Sequence, residues 1–159
     1  MNISYLLIGG NQGERTAQLA RARERIEARA GRLTGCSSLY ETAAWGKTDQ
    51  PDFLNQALEV ETALEAPRLL GVILGIEEEM GRKRLEKYGS RIIDIDILFF
   101  NDAILRLPNL VIPHPQIQNR RFVLAPMAEI APLLKHPVLG KTIQELLNDC
   151  TDPLAVRKL

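Results

Sequence analysis

Apolar residues recur along this chain either at every second position or at every third to fourth, and the switches between the two periods mark out its elements. Residues 5–8, Tyr5-Leu6-Leu7-Ile8, form a short apolar strand that runs into the turn cluster Gly9-Gly10-Asn11-Gln12-Gly13. Residues 14–30 then space Leu19, Ala22, Ile26 and Ala30 as one helical face, closed by Gly31. Residues 33–42 mix serine, threonine and apolar side chains as a second strand. The irregular stretch 43–52 follows as a loop. Residues 53–62 predict a third strand with Leu54, Ala57 or Leu58, and Val60 toward the core. A helix over 67–80 opens on Pro67 and presents Leu69, Leu70, Ile73, Ile76 and Met80 on one face. The charged, glycine-bounded segment 81–90 connects it to a strand that ends at Phe100, and Asn101-Asp102 makes a turn. Residues 103–105 are expected as a short strand, 108–118 as a proline-rich loop, and 120–131 and 142–149 as two short helices. The order strand, helix, strand, strand, helix, strand is that of an α+β, ferredoxin-like βαββαβ core with an antiparallel sheet, here with additional short C-terminal helices.

One strand breaks the apolar rule. In Ile92-Ile93-Asp94-Ile95-Asp96-Ile97-Leu98, alternation sends Asp94 and Asp96 to one face while Ile93, Ile95, Ile97 and Phe99 fill the other. Parallel carboxylates repel, so the pair calls for a cation or a solvated face. Arg91 stands three residues before Asp94, and Arg82 and Arg84 lie on the preceding segment. Carboxylates, arginines and room for magnesium are the parts that surround a polyphosphate in phosphoryl-type transfer. The spacing alone also fits a charged edge strand protected against aggregation.

Composition narrows the field. The 159 residues suit one domain, taken here as 1–159, able to bury about two thirds of its unfolded surface. Twenty basic residues balance twenty acidic ones, which argues against a general nucleic-acid binder. Cys36 and Cys150 stand far apart with no CxxC pair, so neither zinc nor a disulfide framework is indicated and a reducing cytoplasm is expected. The first residues lack a signal-peptide pattern, and no apolar run reaches membrane-spanning length. No GxxxxGK[ST] loop is present, and the first glycine cluster is too poorly spaced for a GxGxxG fingerprint.

Several blocks together carry a family likeness. They are Ile8-Gly9-Gly10-Asn11, Tyr40-Glu41-Thr42, Gln50-Pro51-Asp52-Phe53-Leu54-Asn55, Ile76-Glu77 with Gly81-Arg82-Lys83-Arg84, Lys87-Tyr88-Gly89-Ser90-Arg91 leading to Asp94-Ile95-Asp96-Ile97-Leu98, Ile112-Pro113-His114-Pro115, and Asn119-Arg120-Arg121-Phe122. Over nearly its whole length the chain resembles the 6-hydroxymethyl-7,8-dihydropterin pyrophosphokinases of folate synthesis, which move pyrophosphate from ATP onto a pterin alcohol.

The resemblance implies that Asp94 and Asp96 hold two Mg²⁺ ions between the ATP phosphates and the pterin alcohol, and that Arg82 and Arg91 act with them in catalysis. It implies ATP contacts at Leu70, Glu77, Arg82, Arg84, Lys87, Arg91, Ile97, His114 and Arg120. For the pterin it implies Asn55 as a hydrogen-bonding amide, Phe53 and Phe122 as an aromatic sandwich, and Thr42, Ala43 and Trp45 on the loop that reads the ring edge. Without the likeness, Phe53 taken alone reads as a core strand residue, but beside Asn55 and the long flanking loop a core and a ligand role are equally expected; His114 reads as a surface-loop histidine. Arg121 has no motif and is expected to be solvated, and His136 to be structural. Leu74, Asn109, Val111, Ala43 and Tyr88 depart from common family residues, which bears on ATP affinity and loop kinetics. The expected protein is a cytoplasmic monomer with two small-molecule substrates, ATP and the pterin, and no nucleic-acid or membrane partner.

Overall fold

The computed structural model describes residues 1–43, 50–81 and 92–159. Strand β1 (Asn2–Gly10) leads to helix α1 (Arg15–Arg29), then β2 (Arg32–Cys36), β3 (Tyr40–Thr42), β4 (Phe53–Thr62), helix α2 (Ala66–Glu79) and β5 (Asp94–Phe100). The hairpin β6 (Leu105–Leu107) and β7 (Leu110–Ile112), a 3₁₀ turn (Ile117–Asn119), helices α3 (Arg121–Ile130) and α4 (Ile143–Asp149) and strand β8 (Val156–Lys158) complete it. The main sheet runs β5-β1-β4-β3-β8, with β2 also on β4, and each of its pairings is antiparallel. This is the expected α+β arrangement, with the first and last core strands adjacent.

The sheet separates two apolar layers. On one face Leu19, Ala22 and Ile26 of α1 and Leu69, Ile73 and Ile76 of α2 pack on Leu6, Ile8, Leu54, Ile95 and Ile97. On the other, Val123, Leu124 and Met127 of α3 and Ile143 and Leu146 of α4 cover Leu7, Ala57, Leu98 and Phe99. These are the i, i+3, i+4 stripes that let a helix bury one side and keep the other wet.

Four expectations about the strands change. The second strand, expected over 33–42, is two, because Ser37 leaves the ladder: its N–H donates to the Ala57 carbonyl and its hydroxyl accepts from the Ala57 N–H. Gly9 and Gly10 are strand, not turn, both paired to β4. Phe99 lies on the face opposite Ile95 and Ile97, because a register shift against Tyr5 and Leu6 leaves Leu98 as an extra residue and reverses the alternation after it. The short strand expected over 103–105 is Leu105–Leu107, and it pairs within the supposed proline-rich loop with Leu110–Ile112.

Gly31 follows α1 for a different reason from the usual left-handed exit. A Cβ there would stand 2.1 Å from the Glu61 carbonyl oxygen, so only glycine lets the chain pass this close to β4. Helix α4 starts with a full capping box, Thr142 with Glu145. Arg121 is not solvated as expected: its guanidinium donates to the Cys150 carbonyl at 2.9 Å and its N–H to Asp152 at 3.1 Å, tying α3 to the C-terminal segment.

Candidate active site

Strands distant in sequence set one row of residues side by side. Gly9 of β1 pairs with Asp94 of β5 on one side and with Asn55 of β4 on the other, and Asn55 in turn pairs with Tyr40 of β3. The adjacent row is Asp96, Leu7 and Ala57, and beyond Asn55 and Tyr40 lie Phe53 and Thr42, again paired. Residues directly opposite in a ladder share a face. Leu7 and Ala57 belong to the α3–α4 layer, as does the half-buried Phe122 at the start of α3. Asp94, Asp96, Asn55, Thr42 and Phe53 therefore occupy the face on which Phe122 lies.

Gly9 is what makes room for the Asn55 amide in that row. A Cβ on it would meet the Asn55 Oδ1 at 2.0 Å and the Leu54 carbonyl at 3.1 Å, so the Asn55 amide lies over the glycine in the middle of the row. Asn55 is 6% exposed. Thr42, also buried, keeps its hydroxyl oxygen without a hydrogen-bond partner among the described residues. A buried hydroxyl left this way costs stability, and a ligand able to bond to it would recover the loss.

The aspartates are half-buried, on a strand at the edge of the sheet. Glu77, near the end of α2 and 5% exposed, accepts the buried Ile95 N–H at 2.8 Å. Ile95 separates the two aspartates, so α2 grips the strand between them. Removing that acceptor in Glu77→Ala is expected to cost about 1–3 kcal/mol, with Glu77→Gln, which keeps an acceptor oxygen, close to wild type in urea unfolding. No group of three or more His, Cys, Asp or Glu side chains gathers as a metal cage among the described residues. Two carboxylates with oxygen donors alone fit magnesium, which completes its shell with substrate phosphates and water.

His114 follows the cis Ile112–Pro113 bond and its N–H donates to the Leu98 carbonyl at 3.0 Å, two residues beyond Asp96 on the same strand. Its Nδ1 accepts from the Gln116 N–H at 3.1 Å, which puts the proton of the neutral ring on Nε2, as a donor. Burial, helped by the charge of Arg120, lowers its pKa from 6.5 to about 4. Between those two values the unfolded chain binds the proton and the native ring does not, so this group's contribution to stability falls as pH drops through that window. NMR titration should place the His114 midpoint near 4, with a neutral ring throughout pH 5.5–8. Arg120 stands 5.7 Å over the Phe122 ring, which joins a cation to the aromatic wall.

Leu70 and Ile97 pack in the α1–α2 layer, so their side chains lie across the sheet from the aspartates. Trp45, Arg82, Arg84, Lys87 and Arg91 lie outside the described residues, while Ala43 is exposed directly after β3. His136 is buried, accepts from the Val138 and Leu139 N–H groups and meets Phe99 edge to face at 5.7 Å. Two residues to which the sequence reading gave no role of their own gain a place here. Gly9 was read only as part of a turn cluster and of one family block. Glu129 of α3 accepts from the Ser38 N–H and hydroxyl and from the Tyr40 hydroxyl at 2.6 Å, fastening α3 to the strand that carries Thr42; nothing local in the sequence signals it.

Residues 5–132 match the family model for 7,8-dihydro-6-hydroxymethylpterin-pyrophosphokinase. A Synechocystis 2-amino-4-hydroxy-6-hydroxymethyldihydropteridine pyrophosphokinase is 44% identical over 147 residues, covering 91% of this chain and 75% of that protein. The Methylorubrum extorquens protein of the same name is 41% identical over 160 residues, covering 100% of this chain and 99% of its own length. Among solved structures, Plasmodium falciparum HPPK-DHPS with pteroate superposes with a TM-score of 0.77 at 22% identity, over 93% of this chain. The chain spans less than half of that protein, 42% of its length, and the likeness speaks for the fold. On the family match and these identities, the chain belongs to the 7,8-dihydro-6-hydroxymethylpterin-pyrophosphokinase family, the pyrophosphokinases of folate synthesis.

Proposed function

We propose that this chain, as one domain over residues 1–159, transfers pyrophosphate from ATP to the hydroxymethyl group of 6-hydroxymethyl-7,8-dihydropterin in a Mg²⁺-dependent reaction, giving the pterin diphosphate and AMP. The observation that carries the reading is the row Asp94–Gly9–Asn55, which with the adjacent Asp96 sets a carboxylate pair beside a buried amide on one face of the sheet. A charged edge strand alone explains neither the glycine nor the amide over it.

In this scheme Asn55 both gives and accepts hydrogen bonds to the pterin, and the Thr42 hydroxyl finds its partner there. Phe53 and Phe122 hold the ring plane, with Ala43 and Trp45 at its edge. Asp94 and Asp96 hold two Mg²⁺ ions, which when bound neutralise phosphate charge and acidify the attacking alcohol. The alcohol oxygen bonds to the β-phosphorus, the β-phosphorus bond to the α–β bridging oxygen breaks, the alcohol proton passes to solvent and AMP leaves.

His114, neutral with its proton on Nε2, donates to the nucleotide. Arg120, Arg82, Arg84, Lys87 and Arg91 supply positive charge to the triphosphate. Of these, Arg82 and Arg91 act on the charge that develops in transfer. Glu77, read from the resemblance as an ATP contact, serves the nucleotide through the strand it grips. Leu70 and Ile97 back that site from across the sheet.

The reading places the protein in the cytoplasm as a monomer, with small-molecule substrates and no nucleic-acid or membrane partner. Balanced charge and the free thiols Cys36 and Cys150 support it. Among the described residues no helix is long and apolar enough to cross a membrane.

The test is to incubate the protein with ATP and 6-hydroxymethyl-7,8-dihydropterin, with Mg²⁺ or with EDTA, and to separate the products by chromatography. Equal amounts of AMP and pterin diphosphate, formed only with the metal, are expected. Release of inorganic pyrophosphate with an adenylylated pterin would overturn the reading in favour of nucleotidyl transfer.

A further inference from the structure

The two strand ends that carry Thr42 and Phe53 are held from behind by one arginine. Arg15, in the first turn of α1, donates through Nη2 to the Glu41 carboxylate at 2.7 Å and through Nη1 to the Asp52 carbonyl at 2.8 Å. Glu41 immediately precedes Thr42, and the Asp52 carbonyl belongs to the peptide that enters Phe53. Thr42 and Phe53 are themselves ladder partners. One guanidinium thus spans both sides of the pair, one residue upstream on each.

Glu41 pairs with Leu54, whose side chain is buried in the α1–α2 layer, so Glu41 faces α1 and not the candidate site. Its side chain is only 12% exposed and takes a second arginine, Arg157 of β8. Strand β8 pairs with β3 along its whole length, Tyr40 with Lys158, Glu41 with Arg157 and Thr42 with Val156. The family match ends at residue 132, so this second grip comes from a segment outside it. The hydrogen bond from Arg15 holds the Glu41 carboxyl below its ordinary pKa, so the pair persists to lower pH than an isolated glutamate would allow.

We propose that Arg15 and Glu41 are positioning residues for the pterin: with Arg157 they form a clamp behind the sheet that fixes Thr42 relative to Phe53, and so sets pterin affinity without touching the ligand. An exposed ion pair of one bond each way contributes little. Here a planar fork bonds to two acceptors, one on β3 and one on the residue that enters β4, a geometry that lysine reproduces only in part. The inference rests on the proposed pterin reading of Thr42, Phe53 and Asn55.

The experiment measures KM for pterin, KM for ATP and kcat in the wild type and in Arg15→Met, Arg15→Lys, Glu41→Gln, the Arg15→Met/Glu41→Gln double variant and Asn55→Ala, with circular dichroism on each. Arg15→Met and Glu41→Gln should each raise the pterin KM about five- to tenfold, with kcat and the ATP KM within about twofold. The double variant should be no worse than the worse single, because both remove the same clamp. Arg15→Lys should lie between Arg15→Met and wild type, and together with Glu41→Gln it decides the matter where Arg15→Met fails to fold.

An unchanged pterin KM in the folded variants, or a rise shared equally by pterin and ATP, overturns the clamp. A wild type that does not turn over the pterin overturns the functional reading itself. An active wild type with a raised KM in Asn55→Ala but not in the Arg15 and Glu41 variants overturns the clamp alone.

Discussion

Asp94→Ala and Asp96→Ala are each expected to lower AMP release at least about a thousandfold while the protein stays folded. The reason for the loss is that in the proposed reaction these two carboxylates would hold the Mg²⁺ that offsets the negative charge of the triphosphate, and catalysis of this kind is positioning plus electrostatics. The reason the fold survives is that both side chains are half-buried, while the strand is held by Ile93, Ile95, Ile97 and Phe100 on the opposite face. Removing one of two parallel carboxylates also relieves their repulsion. Single-turnover AMP release over a range of Mg²⁺ concentrations, alongside circular dichroism, makes the check. Restoration by high Mg²⁺ would reduce the role to metal affinity, and normal release by either variant would sink the assignment.

Gly9→Ala is the second large effect, from a single added methyl group. The new Cβ would fall 2.0 Å from the Asn55 Oδ1 and 3.1 Å from the Leu54 carbonyl. The carbonyl belongs to the central strand β4 and cannot retreat, so the Asn55 side chain must turn away. Overpacking of this kind costs about 1–3 kcal/mol. The functional loss should exceed what that destabilisation implies, because the displaced amide is the group expected to read the pterin: the pterin KM should rise about ten- to a hundredfold. In an Asn55→Ala background the same substitution should add little to the pterin KM, since the partner of the clash is already gone. A Gly9→Ala enzyme with wild-type pterin KM would show that Asn55 is not placed through the glycine.

Both effects come from one row of three strands, and the parts of that row were unequally visible beforehand. Asp94 and Asp96 declare themselves, because alternation is a local property of a strand and two carboxylates in an isoleucine run violate it. Asn55 and Phe53 were legible only through a family likeness; taken singly, an asparagine and a phenylalanine in a strand say nothing about a ring between them. Glu77 was legible, through the same likeness, as a nucleotide contact; that its carboxylate also braces the Ile95 N–H was not, because a helix-borne carboxylate meets a strand N–H only after the helix has docked.

The sequence by itself determined the order of the core strands and helices through β5, though not the split of the second strand, together with the helical stripes of α1 and α2 and the shared face of the aspartate pair, all of which depend on spacings within a few residues. The tertiary structure alone decided which face Phe99 takes, since the extra Leu98 is defined only by pairing against β1. It also decided that Gly9 lies between Asp94 and Asn55, that β8 closes on β3, and that Arg15 spans Glu41 and Asp52. Register and cross-strand neighbours are properties of the ladder, not of either strand, so no local pattern contains them.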